Sequence, residues 1–191
     1  MVVHWTICCL QISVYFERWC DFMNSYSMQE TMDVAKTSSS ELEHFLRKQK
    51  GTIDVVNVED DKYFQEKDID LLWIKDRNGE KVVRKIEIKG DRYHYTGNYF
   101  IETISNVNSC SPGCFLYSEA DYLFYYFVFI KELHILPMER IRKWFLANQH
   151  RFELKKLSTK INQKVVYKSY GKVVPKSIVL EEVKGVKVIS L

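Results

Sequence analysis

Three charged residues stand out because the runs around them are apolar. Asp70 precedes Leu71-Leu72-Trp73, and Glu87 and Lys89 flank Ile88. Positions two apart on a strand project from one face, so Glu87 and Lys89 point together while Ile86 and Ile88 turn to the other side. Between the two segments lies Asp76-Arg77-Asn78-Gly79, and Asn-Gly is the strongest short-range hairpin signal. The hairpin lays the strand of Asp70 beside that of Glu87, so that two carboxylates and an ammonium can converge. Asp68 shares the parity of Asp70 and could be the ligand in its stead. Like charges oppose joint ionisation, and a divalent cation removes that cost. Oxygen ligands favour Mg²⁺ or Mn²⁺. Such a cation lowers the pKa of a bound water and stabilises charge on a phosphate oxygen. Lys89 would hold the water or the phosphoryl group as a point charge. This is chemistry for hydrolysing a phosphodiester. The same residues also fit a plain surface ion pair of Lys89 with Glu87 or Asp70, because E-x-K alone is a weak signal.

The run Asp68-Ile69-Asp70-Leu71-Leu72-Trp73, the Asn78-Gly79 turn and Ile86-Glu87-Ile88-Lys89-Gly90-Asp91-Arg92 resemble the PD-(D/E)XK nuclease superfamily. That superfamily includes restriction endonucleases and Holliday-junction resolvases. The resemblance covers about residues 38 to 136. It implies a restriction-endonuclease-like αβββαβ core, with Asp70 as the motif's Asp, Glu87 as its acidic residue and Lys89 as its lysine. It also implies Mg²⁺-dependent cleavage of DNA. Three departures stand beside it. Ile69 occupies the place of the motif's proline, no clear helix separates the third and fourth core strands, and the chain beyond Pro137 has no counterpart in the common core. The stretch Gly97-Asn98-Tyr99-Phe100-Ile101-Glu102 resembles small prokaryotic and phage members.

Other residues are candidates around this centre. Glu102 could add a third carboxylate or be a surface side chain. Glu43 lies on the first helix, from which members of the superfamily often bring a Glu to the metal, but capping also accounts for it. The loop Asp91-Arg92-Tyr93-His94-Tyr95 follows the motif directly. There Arg92 and His94 can contact phosphates, and Tyr93 and Tyr95 can stack on bases. Cys110-x-x-x-Cys114 offers two metal ligands, but a zinc site needs about four. With no further His or Cys pair at useful spacing, these read as buried or loop thiols. The aromatic run from Tyr122 to Phe129 reads as core. No G-x-S-x-G, Walker loop, G-x-G-x-x-G or H-E-x-x-H occurs.

The elements that must position these residues follow from pattern. Ser40 with Glu43 fits a capping box, which predicts a helix from Ser40 to about Lys50, ended by Gly51. Strands are predicted over Thr52 to Val58, Asp68 to Lys75, Lys81 to Lys89, Tyr99 to Ile104, Tyr122 to Ile130 and Leu133 to Leu136. Pro137 opens a helix to about Ala147. Beyond Phe152 the chain is basic and β-leaning, with short strands at Val165 to Tyr167, Val173-Val174 and Val186 to Ile189 separated by turns. The whole is an α/β fold with a mixed central sheet.

The chain has 191 residues, 46% hydrophobic and 28% charged, which is globular composition and excludes disorder. The expected division is an N-terminal extension over 1–36, a nuclease-like core over 37–148 and a basic extension over 149–191. Net charge is −4 over residues 1–60, −2 over 61–130 and +9 over 131–191. A basic tail beside an acidic centre suits a polyanion, so Lys155, Lys156 and Lys160 are expected to contact nucleic acid from an exposed surface. Val2 to Phe16 is apolar but shorter than the ~20 residues of a membrane span, and it lacks the features of a signal peptide. Five cysteines without a secretory signal point to the cytoplasm. The expected function is metal-dependent DNA cleavage, with a homodimer plausible for cutting both strands. The alternatives are an inactive nucleic-acid-binding module of the same fold and an α/β interaction protein.

Overall fold

The computed structural model describes residues 25–161 and 164–191. The stretch Val2 to Phe16, Cys8, Cys9, Cys20 and Met23 lie outside the described residues. In chain order the elements are β1 (Ser25–Ser27), α1 (Met28–Arg47), β2 (Thr52–Asn57), α2 (Lys62–Gln65), β3 (Leu71–Arg77), β4 (Glu80–Asp91), β5 (Asn98–Asn106), β6 (Ser111–Pro112), α3 (Cys114–Tyr117), β7 (Tyr122–Phe127), β8 (Glu132–Pro137), α4 (Met138–Asn148), β9 (Glu153–Ile161), β10 (Lys164–Pro175), α5 (Lys176–Glu182) and β11 (Lys187–Ser190). Single 3₁₀ turns lie at His94–Thr96 and Gln149–Arg151.

The strands form two sheets. A six-stranded sheet has the order β11-β8-β7-β4-β3-β2, and a five-stranded sheet the order β1-β9-β10-β5-β6. In the first, β4 and β7 are parallel and the other pairs antiparallel, so the sheet is mixed. The β3–β4 hairpin turns at Asn78 and Gly79, whose φ values of 58° and 87° are those of a two-residue turn matched to strand twist. Asp76 Oδ1 accepts from Gly79 N–H at 2.7 Å and fixes the turn.

Alternation along the strands divides the core in two. Ile86 and Phe124 face α1, where Leu42, Leu46, Val55 and Leu71 are buried with them. Burial of each such large aliphatic side chain stabilises the fold by roughly 1.5–3 kcal/mol. Leu123, Tyr125 and Phe127 face the other way, onto Tyr99 and Ile101 of β5, α4 and Val179 of α5. Glu87 and Lys89 pair in register with Leu123 and Tyr125. They therefore project into the space between the sheets, away from α1.

Three elements differ from the sequence expectation: β7 ends at Phe127, which leaves Phe129 and Ile130 exposed outside the core, and two others depart further. The helix does not begin at Ser40: α1 starts at Met28, and Ser38, Ser39 and Ser40 lie inside it. The division expected after residue 36 thus falls within one helix. Ser38 satisfies its hydroxyl by donating to Val34 O at 2.7 Å, which a helix interior permits. The basic C-terminal region is also more regular than predicted. β9 and β10 form a long antiparallel hairpin that pairs with β5, and α5 follows where a turn was expected. β9 pairs with β10 over Lys164 to Val173 and β5 over Tyr170 to Pro175, and the non-local half of this pairing is what local propensity alone does not reveal.

Candidate functional site

Asp70 ends the segment leading into β3. Its N–H donates to Ile86 O at 2.9 Å, and β3 pairs Leu71 with Ile86. One step beyond that register Asp70 stands opposite Glu87, and the extended ladder ends there because Asp68 lies in a turn, its N–H donating to Gln65 O at 3.1 Å. Asp70 Oδ2 accepts the Ile88 N–H at 2.6 Å. Its carboxyl is near enough to Glu87 for each to shift the other's pKa. Asp68 adopts a left-handed backbone, φ 54°, and its carbonyl accepts from Ser118 Oγ at 3.0 Å. That bond ties the segment before β3 to the end of α3.

The residues of α3 complete the cluster. Arg142 of α4 clamps this short helix, donating from Nε to Phe115 O at 2.9 Å and from Nη2 to Ser118 O at 2.5 Å. Gly113 lies so close to β5 that a Cβ there would stand 2.1 Å from Glu102 O. Cys114 is thereby held against the carboxylates. Ligand atoms of Asp68, Glu87 and Cys114 lie within 4.8 Å of one another. That is close to the span of ligands around one small cation, given metal–oxygen and metal–sulfur distances of about 2.1–2.3 Å. Glu87 is only 7% exposed. Asp68 Oδ2 and Glu87 Oε2 are buried without a hydrogen-bond partner. Orphaned buried acceptors of this kind are rare in proteins, and a cation would satisfy both.

Electrostatics reflect this crowding. Burial raises Asp70 from 3.8 to about 7, against the Ile88 N–H, which pulls it down. Burial raises Glu87 well above its ordinary value, and the charges of Asp70 and Asp68 add to the effect. Asp68 is raised chiefly by burial, with Cys114 and Lys89 opposing. Burial pushes the Cys114 thiol far up, helped by Glu87 and Asp68. For Lys89 burial favours loss of the proton, but Cys114, Glu102, Glu87 and Asp91 outweigh it and the pKa rises. Burial pushes Tyr117 up to about 12, followed by the negative charges of Asp68, Cys114 and Glu87. Among the described residues no ion pair joins Lys89 to Glu87, Asp70 or Glu102. The simple strand salt bridge is therefore not what holds these side chains.

Lys89 lines a cavity of about 370 Å³, whose wall includes none of Asp68, Asp70, Glu87 and Cys114. Arg92 and Lys155 bring two further cations to its wall, and Tyr93, Tyr95, Phe100 and Tyr125 supply rings. Asp91 anchors the floor: its carboxylate accepts from Tyr125 OH at 2.5 Å and from Tyr93 N–H at 2.6 Å. Arg92 also pairs with Glu30 of α1 at 3.0 Å.

Of the residues singled out in the sequence, the fold brings Asp70, Glu87, Lys89 and Glu102 into one neighbourhood. Asp68 joins them and shares with Glu87 the group that could hold an ion. Glu43 is not brought there; it pairs with Arg47 at 2.8 Å on α1. His94 does not line the cavity, and its Nδ1 is buried without a partner. Lys155 faces the cavity, but Lys156 and Lys160 fall on the opposite face of β9 by alternation. All three are half-buried, so the expected spread of exposed lysines is corrected to a pleated strand. Cys114, weighed in the sequence as a metal ligand beside Cys110 and set aside as a thiol, is instead grouped with Asp68 and Glu87; this and the nearness of Tyr117 depend on α3 folding back across the sheet, which no local spacing records. No helix among the described residues is long and apolar enough to cross a membrane. Compared with family models, with curated proteins and with solved structures, the chain matches none.

Proposed function

We propose that the protein is a metal-dependent nuclease acting on DNA, with a restriction-endonuclease-like core. The observation that carries this reading is Glu87, a buried carboxyl with an unpartnered oxygen, next to Asp68, Asp70 and Lys89. Burying such a group without a purpose is costly, and perturbed carboxyls next to a lysine that lines a cavity favour a catalytic role. The order α1, β2, β3, β4 and then β7 parallel to β4 also supports it. In that core β5, β6 and α3 stand where a second helix was expected.

Asp68 and Glu87 would hold a divalent cation. It would supply stabilisation of charge on a phosphate oxygen. Lys89, shared by cluster and cavity, holds the phosphoryl group by its positive charge. Asp70, with a pKa near neutrality, is suited to take a proton from the attacking water. Arg92 and Lys155 attract flanking phosphates, and the rings of Tyr93, Tyr95 and Phe100 offer faces to bases.

The test is incubation with plasmid, single-stranded and branched DNA, with Mg²⁺, Mn²⁺ or Zn²⁺ and with EDTA. Cleavage should need a cation. Glu87→Gln should lower it at least about a hundredfold, the cost of losing several kcal/mol of transition-state stabilisation. Cleavage in EDTA, or full activity of Glu87→Gln, would refute the reading.

A further inference from the structure

Cys114 takes no part in the chemistry just described, yet its Sγ lies within 4.8 Å of a carboxylate oxygen of Asp68 and of Glu87, the two acids that each have an unpartnered buried oxygen. Three donors arrive from three separate segments: Asp68 before β3, Glu87 in β4 and Cys114 at the start of α3. The thiol is held there by the structure around it. Gly113 N–H donates to Thr103 O at 3.0 Å, and its close approach to Glu102 leaves no room for a side chain. Arg142 holds the carbonyls of Phe115 and Ser118 from the other side. Glu87, more than nine-tenths buried, has its orphaned Oε2 in this cluster.

We propose that Asp68, Glu87 and Cys114 form a mixed oxygen–sulfur site that selects a thiophilic divalent cation of the zinc type over Mg²⁺. The proposal rests on the metal-binding part of the functional reading. Mg²⁺ is a hard ion that takes oxygen ligands and gains little from sulfur, whereas zinc accepts cysteine sulfur and carboxylate oxygen together. Three protein donors would leave a fourth position of a tetrahedral ion open to water or a substrate oxygen. Binding exchanges the Cys114 S–H bond, and the O–H bond of Asp68 or Glu87 where either is protonated, for bonds to the metal and releases those protons to solvent. Three anionic donors around a dication leave one negative charge in excess, and the Lys89 ammonium beside them balances it. Cys110 is exposed and does not belong to the cluster.

The experiment titrates the chelator-stripped full chain with Cd²⁺ and follows the sulfur-to-cadmium charge-transfer absorption, with Zn²⁺ and Mg²⁺ as competitors. One Cd²⁺ should give a band that is lost in Cys114→Ser and weakened in Glu87→Gln but kept in Cys110→Ser. Dependence on both Cys114 and Glu87 separates this site from other thiols. Zn²⁺ should displace Cd²⁺ and Mg²⁺ should not. Cys114→Ser should weaken Zn²⁺ by about tenfold or more, since even outer-shell changes cost about 10–100-fold in metal affinity. Equal displacement by Mg²⁺ and Zn²⁺ in the unmodified protein would overturn the proposal whatever the variants do. If Cys114→Ser leaves the band while Glu87→Gln weakens every cation, the carboxylates alone hold the ion. The proposal then fails and the nuclease reading stands. If neither variant alters the binding of any cation, both fail.

Discussion

A carboxyl that is buried with its proton on stabilises the fold only while it keeps that proton. Asp70 is raised from 3.8 to about 7, chiefly by burial, and burial raises Glu87 as well, with Asp70 and Asp68 adding to it. Between these values the native state binds a proton that the unfolded chain has released. The contribution of these carboxyls to stability therefore falls as pH rises. The contribution of Asp70 is complete below about pH 4, the unfolded value, and is lost as pH rises through about 7. In EDTA, thermal unfolding followed by circular dichroism should show a midpoint that declines across that window. Asp70→Asn should flatten the decline, because an amide has no proton to lose. A pH dependence between 4 and 7 that is the same in wild type and in Asp70→Asn would contradict this account of the buried carboxyl. The pairing of Asp70 with Glu87 was legible in the sequence, because strand parity and an Asn-Gly turn fix it locally. The contribution of Asp68 was legible only as an alternative. Its left-handed backbone and its bond from Ser118 depend on a segment about 50 residues away.

The serine run in α1 shows how one local pattern can serve two purposes. Ser38-Ser39-Ser40 followed by Glu43 has the form of a helix start, but it lies in the middle of a 20-residue helix. The reason is a close crossing. Gly90 of β4 lies under α1, and a Cβ there would meet Ser38 Oγ at 2.2 Å and Val34 Cγ1 at 3.0 Å. Small residues on both elements let the helix reach the sheet, which anchors the end of the strand that carries Glu87 and Lys89. Gly90→Ala should thus destabilise the fold by about 1–3 kcal/mol through overpacking. Ser38→Ala alone should cost little, since its hydroxyl bonds only Val34 O within the helix. The two changes together should recover much of the loss, and a denaturant double-mutant cycle measures that coupling. Strict additivity would mean that the crossing is not what makes Gly90 necessary. The hairpin, β7, β8 and the helix after Pro137 were legible because each follows a local rule. The long β9–β10 hairpin was not, because its lysine-rich strands carry little apolar alternation and its C-terminal half is held by β5, far away in sequence.

Across the whole molecule, the charge gradient along the chain becomes a difference between two faces of a sheet. The last third carries a net +9, yet its lysines are not equivalent once β9 is pleated. Lys155 and Leu157 line the cavity with Lys89 and Arg92, and alternation turns Lys156 and Lys160 to the opposite face. If the cavity side is where a nucleic acid lies, only Lys155 among these three neutralises a phosphate there. Each phosphate left without its cation should lower the log–log salt slope by about 0.9 on duplex DNA or about 0.7 on a single strand. Binding measured in EDTA across a salt series, with cleavage thereby silenced, reads this directly. Lys155→Gln should lower the slope by the amount that belongs to about one phosphate, and Lys156→Gln should leave it unchanged. Both variants remove the same unit of net charge, so long-range attraction is weakened equally in the two. An equal fall in slope for both would show that the basic sheet acts only through its total charge, and that the cavity face is not the binding face.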